Sequence, residues 1–130
     1  WARGLAAPFL NPGERKTRPI LRSLTTARLL HKPLEWGTGA LTRSASPQKV
    51  TVPAGTFTVD VLTADLAEGR KWTFFVERTD ARRLIKWTGS DGEIGELLGA
   101  DRMAYWQMNG PGFEAQLKKI GLSPRPRRTP

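Results

Sequence analysis

The sequence contains no cysteine and only one histidine, His31. The absence of cysteine excludes disulfide bonds, thiolate metal sites and cysteine nucleophiles. A single histidine cannot build a histidine-rich metal cluster, and it lacks the second histidine one helical turn away that zinc-protease helices carry. The sequence therefore predicts no metal site and no cofactor, and His31 remains only a candidate for a lone general base.

The sequence also lacks an apolar run that approaches the roughly 18 residues of a membrane-spanning helix, which predicts that the chain is not integral to a membrane. Glycine-rich phosphate-binding motifs, the G-x-S-x-G nucleophile motif and calcium-binding loops are missing as well. The acidic side chains fall mostly at predicted turns, where carboxylates are usually solvated, whereas acid–base catalysis requires groups held in a dry pocket. These absences predict that the protein is not an enzyme.

Positive charge is abundant, and it is unevenly distributed. The net charge is +9, of which residues 1–49 carry +7 and residues 111–130 carry +4, while residues 50–110 carry −2. This distribution favours a nearly neutral folded body with basic flanking segments over a uniformly basic nucleic-acid-binding domain. The tail at 123–130, "SPRPRRTP", is basic and rich in proline, which predicts an extended segment unless a partner orders it.

The middle of the chain, residues 49–100, shows the period-two alternation of half-buried strands. The alternating runs around Phe57 and around Trp72 are separated by short turns, and the Asp91-Gly92 pair is a strong hairpin signal. Because short connections cannot cross over between parallel strands, the strands must be antiparallel neighbours. The pattern predicts a β-meander with ten core residues, namely Phe57, Val59, Val61, Trp72, Phe74, Val76, Leu84, Trp87, Ile94 and Leu98.

The flanks are less regular. "RKTRPILRSL" resembles a strand, and a short helix is expected after Thr25 or Thr26 and before Pro33. "GTGALTRSASPQ" has mainly the composition of a loop, although Ala40-Leu41-Thr42 could be part of a strand. Residues 112–121 predict a short helix, since Phe113, Leu117 and Ile120 form a narrow apolar stripe. The predicted fold is one mainly β domain over residues 1–122: a curved antiparallel sheet of six to eight strands, half-barrel or clam-like, with a short C-terminal helix.

Two stretches, "VTVPAGTFTVDVLT" and "RKWTFFVERTDARRLIKWTGSDGEIGELLG", resemble a group of uncharacterised bacterial envelope proteins. In that group a hairpin with the pattern "tVPAGtF" is followed by strands that match the second stretch. The likeness covers roughly residues 5–100. It implies a periplasmic or otherwise extracytoplasmic location after removal of a signal peptide, and a binding role at most; it supplies no catalytic residues.

The hypothesis from the sequence is a non-enzymatic binding or assembly domain that contacts a partner protein, an apolar ligand or a lipid. We expect Trp72, Phe74 and Trp87 near a ligand, with Arg82 or Arg83 at the rim. Contacts with a partner or an anionic membrane surface are expected from the basic flanks: Arg15, Lys16, Arg18, Arg22, Arg125, Arg127 and Arg128. Two alternatives stay open: an RNA- or ribosome-associated accessory protein, with nucleic acid as the less favoured partner, and a structural accessory subunit of a membrane-associated complex.

Overall fold

A computed structural model describes residues 1–2, 7–66, 69–108 and 110–124. Within these residues, seven antiparallel strands form one open sheet, and two short helices flank it. The strands are β1 (Arg15–Leu21), β2 (Trp36–Arg43), β3 (Gln48–Val52), β4 (Gly55–Leu66), β5 (Lys71–Glu77), β6 (Leu84–Gly89) and β7 (Ile94–Glu96). The helices are α1 (Leu24–Leu29) and α2 (Ala115–Lys119), and one 3-10 turn spans Tyr105–Gln107. The predicted fold class, a curved antiparallel sheet with a short C-terminal helix, is confirmed.

The strand order is β1-β2-β4-β5-β6-β7, and β3 also pairs with β4. The long strand β4 pairs with β3 along its first half and with β2 along its second half. Strands β4 to β7 follow one another as a meander. The Pro53-Ala54 pair forms the two-residue loop of the β3–β4 hairpin, where Val52 faces Gly55. This hairpin sets the register between β3 and β4.

Apolar side chains form two buried clusters on opposite faces of the sheet. The first cluster consists of Leu10, Leu41 and Ala64, and Ile20, Leu66 and Trp72 pack against it. The second cluster consists of Val52, Val59 and Ile85, and Phe57, Val61, Phe75 and Leu97 are among the side chains packed against it. Strand alternation explains the separation, because Ala64 and Trp72 are cross-strand partners on one face while Val61 and Phe75 are partners on the other.

The sequence prediction was wrong for the start of β2. "GTG", residues 37–39, has the composition of a loop, yet it lies within β2, between the edge strand β1 and the long strand β4. The alternative that Ala40-Leu41-Thr42 belongs to a strand is confirmed. A Cβ atom on Gly39 would overlap the Cδ1 atom of Ile20 and would also approach Leu66. Glycine at this position therefore allows close packing of side chains from β1 and β4 over β2, which is one of the uses of glycine inside a strand.

The prediction was also wrong for two of the ten core residues, Ile94 and Leu98. Ile94 is 64% exposed and Leu98 is 46% exposed, whereas Val59 and Val76 are fully buried as predicted. Strand β7 is an edge strand of only three residues, and Leu97, rather than Ile94 or Leu98, packs on the second cluster. Ile94 is exposed because β7 lies at the edge of the sheet, and the predicted alternation does not continue to Leu98 because β7 ends at Glu96.

Candidate functional site

One face of the sheet borders a cavity of about 410 Å³. Strands β1, β2, β4, β5 and β6 all contribute to its wall, together with residues of the connections beside them. Most of the lining is aliphatic or aromatic: Ile20, Leu21, Trp36, Leu66, Trp72, Phe74, Leu84 and Trp87. A cavity of this size, with an apolar lining and a few polar groups, has the character of a small-molecule binding site.

The aromatic wall follows directly from strand alternation and register. Trp72 and Phe74 are two residues apart in β5, so they share a face, and their rings stack at 17° with centroids 6.4 Å apart. Trp87 of β6 is the cross-strand partner of Phe74. The three residues that the sequence predicted as ligand contacts are thus brought together at one cavity.

The indole of Trp87 is held in place from two directions. Its Nε1–H donates a hydrogen bond to Glu93 Oε1 at 3.2 Å. Its six-membered ring lies directly over the backbone of Gly95, where a Cβ atom would overlap the ring carbons. Glycine at this position allows the indole to lie flat against β7, and this contact fixes one wall of the cavity.

The polar part of the lining is small and contains two guanidinium groups. Arg70 forms an ion pair with Asp91 at 2.7 Å and lies 5.4 Å from the ring centroid of Trp72, a cation–π contact. Arg22 donates a hydrogen bond to the carbonyl oxygen of Pro33 at 2.8 Å. Ser23, Glu35 and Thr38 complete the polar lining. The polar side chains come mainly from the connections around β1, β2 and β5, so they border an otherwise apolar wall.

Arg82 and Arg83 are not among the described residues that line the cavity. The guanidinium of Arg83 binds the carboxylate of Glu77 through two hydrogen bonds of 2.8 and 2.9 Å, and it lies 5.5 Å from the ring centroid of Phe57 in the second cluster. Arg82 lies in the β5–β6 connection with a left-handed φ of 43°. The structure therefore separates these two residues from the three aromatic residues with which the sequence analysis grouped them.

Four of the seven predicted basic contact residues lie in β1 or directly after it. Arg15 forms an ion pair with Asp65 at 3.6 Å, Lys16 forms one with Glu14 at 2.8 Å, and Arg18 is exposed. Arg22, directly after β1, is the only one of these four that lines the cavity. The other predicted contacts, Arg125, Arg127 and Arg128, lie outside the described residues.

Sequence reasoning missed the part of the cavity that comes from the first third of the chain. Ile20, Leu21, Trp36 and Gly37 line it, although they are distant in sequence from the aromatic residues of β5 and β6. Trp1 adds an edge-on contact, with its ring centroid 6.1 Å from that of Phe74. Trp36, which is 71% exposed, gave no local signal for this position, because the sequence that follows it has mainly the composition of a loop.

His31 is exposed and has a left-handed φ of 50°, and it does not contribute to the lining of the cavity. The described part of the chain has no group of three His, Asp or Glu side chains placed to hold a metal ion. Neither helix within the described ranges is long and apolar enough to cross a membrane.

Comparison of the chain with protein-family models, with curated proteins and with solved structures finds no match.

Replacing Gly95 by alanine tests how tightly the Trp87 wall is packed. The new Cβ atom would displace the indole, so we expect Gly95→Ala to lower the free energy of unfolding by about 1–3 kcal/mol. It should also change the tryptophan fluorescence of the folded protein. Urea unfolding followed by fluorescence measures both effects.

The matched control for this change is Gly37→Ala, another strand glycine beside the cavity. Its nearest neighbour for an added Cβ is the Ile20 carbonyl oxygen at 3.9 Å, an ordinary contact. Because alanine is favoured over glycine inside a strand by roughly 0.5–1 kcal/mol, this variant should be at least as stable as the wild type. Equal losses in the two variants would contradict the packing argument for Gly95.

Proposed function

We propose that the protein is a non-enzymatic binding domain that holds a small apolar ligand in the 410 Å³ cavity. The observation that carries this proposal is the lining itself, in which eight aliphatic or aromatic side chains face a space large enough for a small molecule. Burial of apolar ligand surface there contributes roughly 25 cal/mol per Å² before the cost of association. The few polar groups, among them Arg22 and Arg70, orient the ligand.

The cavity is supported by interactions that do not involve a ligand. Trp87 is fixed by Glu93 and Gly95, and Trp72 lies beneath Arg70, which is itself bound to Asp91. A binding site that exists before the ligand arrives loses less conformational entropy when it is filled. Because these contacts hold the side chains in place without a ligand, the cavity is expected to stay open rather than to be filled by its own side chains.

The proposed location is extracytoplasmic. Support comes from the resemblance of the β3–β4 hairpin and of the β5–β7 region to bacterial envelope proteins, and the absence of cysteine is compatible with it. Fractionation of a cell that produces the full-length precursor tests this part. Recovery of the protein in the periplasmic or envelope fraction is expected, and recovery only with the cytoplasmic proteins would overturn it.

Binding of N-phenylnaphthylamine, an uncharged fluorescent apolar probe, tests the cavity directly. The test variant is Gly37→Phe, because Gly37 lines the cavity and has space at its Cβ position, so that a phenyl ring occupies the site with little cost to the fold. We expect saturable binding by the wild type and at least a roughly ten-fold weaker affinity for Gly37→Phe, a difference of about 1.4 kcal/mol.

The matched control is Gly37→Ala, which should bind the probe within about two-fold of the wild type because it adds only one methyl group at an open position. Thermal unfolding of each variant shows that the fold is retained. Absence of probe binding by the wild type, or equal binding by the wild type and Gly37→Phe, would overturn the proposed function.

A further inference from the structure

The connection between β1 and β2, together with the first residue of β2, exposes an unusual amount of apolar surface. We call residues 24–36 the leucine segment; its large apolar side chains are Leu24 and Leu29, each 73% exposed, Leu30 at 53%, Leu34 at 46% and Trp36 at 71%. None of the five is buried against the sheet. Apolar side chains concentrated on the surface in this way mark a site of interaction with a protein or a membrane.

The leucine segment is nevertheless anchored to the sheet. The backbone N–H of Arg22 donates to the carbonyl oxygen of Glu35 at 3.1 Å, which closes the base of the connection. Ala27, in the middle of α1, is only 7% exposed, and its carbonyl oxygen accepts a hydrogen bond from the N–H of Lys32. The segment is therefore a closed projection from the sheet edge whose leucines point outward.

The charge of the leucine segment indicates which kind of surface it binds. Arg28 and Lys32 are exposed between the leucines, and Glu35 is the single acidic residue among residues 24–36. An anionic bilayer surface attracts each nearby lysine or arginine by roughly 1 kcal/mol. Exposed leucines interspersed with cations and a terminal tryptophan have the composition of a segment that lies in a membrane interface.

A protein partner fits this composition less well. Interfaces between proteins are depleted of lysine at their centres, and leucine is under-represented among the residues that contribute most to binding. The position of the segment points in the same direction, because Ser23, directly before it, and Glu35 and Trp36, at its end, line the cavity. A bilayer in contact with the leucine segment would lie next to the entrance of an apolar cavity.

We infer that the leucine segment is a membrane-docking surface for bilayers that contain anionic phospholipid. Leu24, Leu29, Leu30, Leu34 and Trp36 enter the interface between head groups and acyl chains, and Arg28 and Lys32 contact the lipid head groups. This inference rests on the exposure and charge of the leucine segment, and it does not depend on whether the cavity binds a ligand.

Sedimentation of the full chain with vesicles tests this inference. Vesicles of phosphatidylcholine mixed with phosphatidylglycerol are compared with vesicles of phosphatidylcholine alone, at low and at high salt. We expect binding to the anionic vesicles that is weakened by salt. The double variant Leu29→Ser/Leu30→Ser and the double variant Arg28→Gln/Lys32→Gln should each reduce the partition coefficient about ten-fold or more.

Two matched controls distinguish docking by the leucine segment from non-specific binding to vesicles. Ile94→Ser/Leu98→Ser removes two exposed aliphatic side chains elsewhere, and Lys49→Gln/Lys118→Gln removes two exposed cations outside the leucine segment. Both should bind vesicles within about two-fold of the wild type, since neither changes the proposed surface. Circular dichroism and thermal unfolding verify that all variants fold, as expected for substitutions of exposed residues.

The inference is overturned if the wild type stays in the supernatant with anionic vesicles at low salt, or if the control variants lose binding as much as the segment variants. A second result would also overturn it: the wild type does not bind vesicles, but it can be cross-linked to a protein, and Leu29→Ser/Leu30→Ser abolishes that cross-link. This result would assign the segment to a protein interface. Gly37→Phe is expected to bind vesicles like the wild type, so failure of docking and failure of the cavity proposal give different results.

Discussion

Asp60→Ala should lower the free energy of unfolding by about 3–5 kcal/mol, because it leaves the buried guanidinium of Arg43 without its counterion. The two side chains are only 9% and 7% exposed, and Arg43 Nη2 donates to Asp60 Oδ2 at 2.8 Å. Arg43 also donates through Nη1 to the carbonyl oxygen of Leu10, which fixes the N-terminal segment on the first cluster. A cation in this position cannot regain solvation without opening the sheet.

Urea unfolding followed by tryptophan fluorescence measures the loss. The matched control is Asp65→Ala, which lies on the same strand but is 40% exposed and has longer ion pairs, 3.6 Å to Arg15 and 3.8 Å to Lys71. Exposed pairs of this kind contribute about 0–1 kcal/mol, so the control should change stability by less than that amount. Similar losses in the two variants would contradict the role assigned to burial.

A double variant separates the cost of an unpaired charge from the value of the pair. Arg43 Nε is buried without a hydrogen-bond partner among the described residues, so the pair is incompletely satisfied. Replacement of a buried ion pair by apolar side chains of similar volume is often neutral. We therefore expect Arg43→Met/Asp60→Leu to recover at least half of the stability that Asp60→Ala loses. No recovery would show that the ion pair itself is the stabilising element.

Glu77 should make the stability of the protein depend on pH in the acidic range. Its side chain is 2% exposed, and hydrogen bonds from Arg83 lower its pKa from 4.5 to about 2. A carboxyl group whose pKa is lowered by folding stabilises the folded state above its unfolded pKa, and this stabilisation is lost as the pH falls toward the folded value. The contribution is therefore complete above about pH 5 and amounts to at most about 3 kcal/mol.

The free energy of unfolding of Glu77→Gln, compared with that of the wild type, isolates this contribution. We expect the difference between the two proteins to be largest near pH 7 and to fall to roughly half by about pH 3. Glu96→Gln is the control, because Glu96 is 36% exposed in its ion pair with Lys86 and should change stability by less than about 1 kcal/mol. A wild-type–Glu77→Gln difference that stays constant between these pH values would contradict the assignment.

The strands of the middle of the chain were predictable because their information is local. Alternation places Trp72 and Phe74 on one face of β5, and the two-residue turn at Pro53-Ala54 sets the β3–β4 register, whatever the rest of the chain does. From these features the sequence predicted the meander and the three aromatic residues that meet at the cavity.

The features that the sequence did not reveal depend on contacts between distant segments. From the sequence, Gly39 was assigned to a loop, and only the structure shows that Ile20 of β1 packs against its backbone. Arg83 was predicted at the rim of a ligand site, and only the structure shows its hydrogen bond to Glu77. The faces of Ile94 and Leu98 depend on where β7 ends at the sheet edge, which local alternation does not specify.

The sequence by itself thus determined a mainly antiparallel sheet, the order of the middle strands and the aromatic wall, because turn chemistry and side-chain alternation act over a few residues. Only the tertiary structure decided that β1 and β2 join this wall to form a cavity, that Arg43 and Asp60 are buried together, and that the leucine segment stays in solvent. Each of these depends on which strand lies beside which, and on the close packing that results.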